Sequence, residues 1–155
     1  LAVEIAVEPP LQDDVRGLVA ALNAYLIPLT PREYQFQLTV EQMAEPSVTL
    51  FVARDPYGSA IGMGALKEHG AGLGEVKRMF TVPEARGQRI GARLLQRIEA
   101  LARERHIDRL VLETGEAPGF EPAYRVYERG GFQLCGPVLD YPDSGHSRFY
   151  EKKLS

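Results

Sequence analysis

The chain has 155 residues, 45% hydrophobic and 25% charged, with a formal net charge of −3. That length suits one domain over 1–155 with a sizeable core, and the composition argues for a folded chain over a disordered one. The weak negative charge argues against a nucleic-acid partner held on a broad basic face, and no apolar run nears the roughly 20 residues that span a bilayer, so no membrane role is expected.

In chain order, "AVEIAV" (2–7) alternates and predicts a strand stopped by Pro9 and Pro10. Val15, Leu18, Val19, Leu22, Tyr25, Leu26 and Leu29 recur at helical spacing behind the acidic Asp13 and Asp14. Thr30-Pro31-Arg32-Glu33 and Thr39-Val40-Glu41-Gln42 both read as capping boxes, so one or two short helices are expected over 31–45. "SVTLFVAR" (47–54) and "SAIGMGALKEH" (59–69) flank the turn "DPYG" as a hairpin, and "GEVKRMFTV" (74–82) is a further strand closed by Pro83. Ile90, Leu94, Ile98, Leu101 and Ala102 share one face of a helix over 89–104. "DRLVLET" (108–114) completes a strand–helix–strand crossover, which implies a mixed sheet. "EPAYRVYERGG" predicts a short helix opened by Pro122 and ended by Gly130 and Gly131. "FQLCGPVL" (132–139) and "SRFYEKKL" (147–154) end the chain as two paired strands. Cys135 is the single cysteine and reads as a small buried hydrophobe in a reducing compartment. With no signal-peptide pattern at the front, a cytoplasmic location is expected. Since the chain opens on Leu1, a few residues are expected to precede it. His69, His106 and His146 are scattered without ligand spacing, and no metal is expected.

The segment "EARGQRIGARLL" (84–95) places Arg86, Gly87, Gln88, Arg89 and Gly91 just where a helix begins. The first amides of a helix lack intrahelical partners and carry partial positive charge. A glycine turn there lets the backbone approach a phosphate, and arginines add charge-assisted bonds. The alternative is a basic, exposed helix start whose glycines only make the turn. On these residues alone both readings stand. "GMGALK" and "GAGLG" do not lie between a strand and a helix, and hairpin strands and turns account for them.

"VPEARGQRIGARLL" resembles the acetyl-coenzyme-A-binding motif of the GNAT family of N-acetyltransferases, with its Arg/Gln-x-x-Gly-x-Gly/Ala core. "PAYRVYERGGF" resembles the family's Ala-x-x-x-Tyr-x-x-x-Gly-Phe segment, and "LETG" ahead of it looks like a bacterial subgroup of small members. There are two departures: Arg89 stands where the first glycine of the core is usual, and Phe120 where many members carry asparagine. The resemblance implies an α/β (mixed α+β) fold. Its central, twisted, mostly antiparallel sheet would have about seven strands flanked by about four helices, with a splayed cofactor cleft.

It also implies direct transfer of an acetyl group from acetyl-CoA, as cosubstrate, to a primary amine of a small molecule in a ternary complex. Backbone groups of Phe80, Thr81 and Val82 would pair with the pantetheine arm like an added strand, with an amide in the Met79–Phe80 stretch polarising the thioester. Arg86 with Gly87, Gln88, Arg89, Ile90, Gly91 and Ala92 would hold the pyrophosphate. Tyr127 matches the family's general acid toward the leaving sulfur; otherwise it is an aromatic packing beside Tyr124. An alkylammonium needs a base, for which Glu75 is the candidate and Glu113 the alternative. Glu75 is otherwise an exposed acid pairing with Lys77 or Arg78.

The acceptor wall is expected from helix 15–29, segment 31–45 and loop 137–147. These offer Tyr25, Arg32, Glu33, Tyr34, Tyr141, Asp143 and His146, with Arg32 a candidate seat for a carboxylate. A different class of function would be a catalytically weak acyl-CoA-binding sensor or interaction module on the same fold. A dinucleotide-binding reading is set aside because Asp108 precedes its strand instead of ending it. A homodimer through the C-terminal strands is a further expectation.

Overall fold

A computed structural model describes residues 2–35 and 38–154, the side chain of Arg32 apart. The elements are β1 (Glu4–Val7), α1 (Asp13–Leu26), α2 (Val40–Met43), β2 (Val48–Arg54), β3 (Ala60–Gly70), β4 (Leu73–Thr81), α3 (Ile90–Glu104), β5 (Arg109–Gly115), α4 (Glu121–Arg129), β6 (Gln133–Cys135) and β7 (Ser147–Lys153). Seven strands form one sheet in the order β1-β2-β3-β4-β5-β7-β6, antiparallel throughout except where β4 meets β5. The mixed α/β architecture expected above is the one observed.

One face of the sheet packs on α3 and α4, through Ile90, Leu94, Ile98, Leu110, Leu112 and Tyr150. The other face packs on α1 and α2, through Val15, Leu18, Leu22, Met43, Leu50 and Met63. The polar side of α3 is not simply solvated: Arg93 and Arg97 donate to the carbonyls of Val3 (2.8 Å) and Ile5 (2.6 Å), tying the edge strand to the helix.

Three expected boundaries shift. The helix over 15–29 stops at Leu26, and Thr30-Pro31-Arg32-Glu33 leads only into a 3₁₀ turn at Arg32–Tyr34. The second capping box forms in full: Thr39 Oγ1 accepts from the Gln42 amide, and Gln42 Oε1 accepts from the Thr39 amide. It opens a single turn, Val40–Met43. The strand expected over 132–139 is only Gln133–Cys135; Pro137, soon after it, has no N–H to donate to a ladder.

Two irregularities shape the centre of the sheet. The parallel pairing of β4 and β5 lasts only from Leu73↔Arg109 to Glu75↔Val111, after which the strands diverge. Between Lys77↔Ala65 and Phe80↔Met63, Arg78 and Met79 together oppose Gly64, forming a β-bulge with Arg78 at φ +55. The "GMG" glycines admit close neighbours. A Cβ on Gly64 would collide with the Met79 sulfur, and one on Gly62 would stand 2.9 Å from Ile90.

Candidate active site

The fork between β4 and β5 opens into a cavity of about 670 Å³ that extends from Glu75 to the first turn of α3. Of the eleven residues expected at the cofactor, all but Val82 and Gln88 line it, as do Tyr127, Glu75 and Glu113. Val82 instead uses its amide in the sheet, donating to Ile61 O at 2.9 Å. Past Glu75, β4 is paired with β3 along one edge and, among the described residues, has no ladder partner along the edge facing β5.

At the helix end of the cavity the backbone bends twice into the left-handed region, at Gly87 (φ +89) and Arg89 (φ +60), before α3 begins at Ile90. Arg89 is the N-cap yet supplies no side-chain cap, so the first amides of α3 stay open toward the cavity. Its positive φ explains why glycine suits this place in the motif. Nothing lies within 4 Å of a Cβ built on Gly87, and Val126 stands 3.5 Å from one on Gly91. Internal packing therefore does not require either glycine, and among the described residues the space above Gly87 is open, while Gly91 borders Val126. Arg86 lies over the Tyr25 ring at 5.8 Å, while the Tyr25 hydroxyl donates to Gly119 O at 2.5 Å.

At the opposite end, Glu75 is 3% exposed and fully engaged. Oε1 lies 2.9 Å from His69 Nε2, and Oε2 accepts from the Tyr141 hydroxyl at 2.5 Å and from Lys77 Nζ at 3.3 Å. Lys77 also donates to the Tyr141 oxygen at 2.7 Å. The acid is therefore paired with Lys77, as one expectation held, but buried where that expectation had it exposed. Arg78 does not join it. Burial, reinforced by Glu75, pushes the Tyr141 phenol far above its ordinary range, so Tyr141 is a neutral donor. Glu113 accepts from Ser147 Oγ at 2.6 Å, and burial raises its carboxyl above the usual range.

Tyr127 is 7% exposed, its ring against Phe132 and Tyr150. Burial, and after it Glu113, pushes the phenol well above its ordinary range, so it keeps its proton at neutral pH. No hydrogen-bond partner for that phenol occurs among the described residues. Tyr124, one turn earlier, serves the structure instead, donating to Gly115 O while Arg148 stacks on its ring at 3.9 Å. Phe120, the second departure from the motif, is seated on Gly115, where any Cβ would strike its ring.

The acceptor wall is met in part. Tyr25 and Tyr34 line the cavity, and Tyr34 stacks on His146 with centroids 4.8 Å apart. Tyr141 sits behind Glu75, and Glu33 and Asp143 are exposed outside the lining. The Arg32 side chain lies outside the described residues. Sequence reasoning misses the roles of His69, Ser147, Asn23 and Arg78, because each acts through a partner that local pattern does not reveal. Cys135 is half-buried with its thiol pushed up by burial, which suits an unreactive position. No helix among the described residues is long and apolar enough to cross a membrane.

Comparison with known proteins agrees with this geometry. The model of the acetyltransferase (GNAT) family matches residues 17–132. A protein named an IAA acetyltransferase from Azospirillum brasilense is 42% identical over 153 residues, 98% of each chain. A solved structure from Klebsiella pneumoniae, described as an acyl-CoA N-acyltransferase, superposes with a TM-score of 0.83 at 32% identity, covering 99% of this chain and 98% of that one. An N-acetyltransferase from Thermoplasma acidophilum, solved in complex with coenzyme A, shares the fold at a TM-score of 0.74 and 18% identity, covering 99% of both chains. The forked sheet, the open helix start and these similarities together place the chain in the acetyltransferase (GNAT) family, as an acyltransferase enzyme.

Proposed function

We propose that the protein transfers the acetyl group of acetyl-CoA directly to the primary amine of a small molecule, both substrates being held at once in the forked cavity. The observation that carries this reading is the unpaired outer edge of β4. It lies in the cavity that runs from a buried carboxylate at Glu75 to the open amides at the start of α3. An extended, amide-bearing arm can pair with that edge as an added strand. The open space over Gly87, with Arg86 beside it, suits a diphosphate approaching the helix N-terminus.

Acetyl-CoA supplies an activated acyl group. The chain supplies position and protons. The backbone at Met79 and Phe80 stabilises charge that develops on the carbonyl oxygen. Glu75 takes a proton from the incoming ammonium, with Glu113 or a water path as the alternative acceptor. The new N–C bond then forms as the C–S bond breaks. Tyr127, protonated and without an internal partner among the described residues, gives its proton to the departing sulfur, and the second proton shed by the acylated nitrogen restores the phenol. A module that only bound acyl-CoA would not need a buried carboxylate held by three side chains.

The test is calorimetry with acetyl-CoA, followed by free-thiol release against a panel of amines. Saturable binding and amine-dependent thiol release are expected. Binding without release from any amine would favour the non-catalytic alternative.

A further inference from the structure

The acceptor side of the cavity holds a cation that acetyl transfer, as described, leaves idle. Arg78 stands at the β4 bulge, 8% exposed, is one of the residues that line the cavity, and reaches α1 through its side chain. One amino nitrogen donates to Asn23 Oδ1, while Nε is buried with no acceptor among the described residues. No described carboxylate pairs with the group. Burial alone acts on it, lowering the guanidinium to about 10, which leaves it charged at neutral pH. A buried cation without a counter-charge is costly, and its side chain sits on a backbone already in the left-handed region. Lys77, its neighbour, is already committed to Glu75 and Tyr141.

Resting on the acetyl-transfer reading, we infer that Arg78 anchors a carboxylate carried by the acceptor itself, so that the substrates are amines of amino-acid type. The bulge is what turns Arg78 toward α1, where it reaches Asn23. Glu75 and Glu113 provide the acidic end of the site for an ammonium, and Arg78 the basic end for an anion. Residues 75 and 78 are three positions apart on one strand, about 10 Å of extended chain, which limits the acceptor to amino-acid dimensions. The planar guanidinium fork matches a carboxylate. A single guanidinium balances a monoanion, whereas a phosphate dianion would add surplus negative charge near Glu75 and Glu113.

The experiment compares free amino acids with their carboxamides as acceptors for the wild type, Arg78→Gln and Arg78→Lys, with acetyl-CoA affinity measured by calorimetry on each protein. The wild type should favour the acid over its amide by about 10- to 100-fold in kcat/KM, mainly through KM. Arg78→Gln should bring that ratio to about one and Arg78→Lys should restore part of it, all three binding acetyl-CoA alike. A ratio near one in the wild type, or a ratio unchanged in Arg78→Gln, overturns the inference while acetyl transfer stands. If no amine supports thiol release, the acetyl-transfer reading fails separately, and thermal shift decides the anchor. Stabilisation by free amino acids that Arg78→Gln abolishes sustains it, and no stabilisation of the wild type ends it.

Discussion

The two ends of the cavity are built from different materials. At the start of α3 the chain presents main-chain amides, two left-handed residues and open space, all within residues 86–92. At the Glu75 end it presents side chains gathered from β3, β4, β5, α1 and the loop before β7. Tyr141 reaches Glu75 across 66 positions, and Arg78 reaches Asn23 across 55. A grip made of backbone is local and tolerates changes of side chain. A pocket made of side chains is long-range, and its loss is felt at once in chemistry or selectivity.

The sharpest way to break this contrast is Glu75→Gln. Turnover should fall by about 10²- to 10³-fold, within the usual range for a general base, while acetyl-CoA affinity stays within about twofold. If Glu113→Gln suffers the large loss instead, the base belongs to β5. Tyr127→Phe comes next, with turnover lowered by about tenfold or more and acetyl-CoA affinity little changed. Equal turnover in steady-state assays would return Tyr127 to packing duty.

Arg89→Gly probes the backbone end. Removing a Cβ at φ +60 should stabilise the fold by up to about 1 kcal/mol in urea titration, and acetyl-CoA affinity should drop only a few-fold. A loss of binding by orders of magnitude would show the side chain, not the amides, to be the grip. The smallest effect is thermodynamic. Because burial raises the folded-state value of Glu113 above 4.5, the folded protein holds a proton that the unfolded chain has released. Stability is therefore diminished as pH rises from 4.5 through the folded-state value and stays diminished above it. Glu113→Gln should melt higher than the wild type at about pH 8, with the difference vanishing near about pH 4. A constant difference across that range would assign it to packing.

The same contrast explains what is legible in the sequence. Strand alternation, the α3 stripe and the "ARGQRIG" turn are short-range signals, so the sheet, the crossover and the helix start can be read from it. The "GMG" run reads as ordinary strand, since nothing local reveals that Gly62 and Gly64 face Ile90 and Met79. By proximity alone Arg78 is a natural partner of Glu75. Only the bulge, an offset between two strands, turns it away toward α1. Arg93 and Arg97, opposite the apolar stripe of α3, reach the carbonyls of Val3 and Ile5, 90 and 92 positions earlier, which no local pattern reveals.

The short contact between β4 and β5 has a consequence for the molecule's solubility. A bare strand margin normally lies at the periphery, where another polypeptide can latch onto it and seed aggregates. Here the margin past Glu75 lies in the interior, flanked by β5 and by the first turn of α3. That bare margin thus faces a cavity within the fold, unlike the margins of β1 and β6 at the two ends of the sheet.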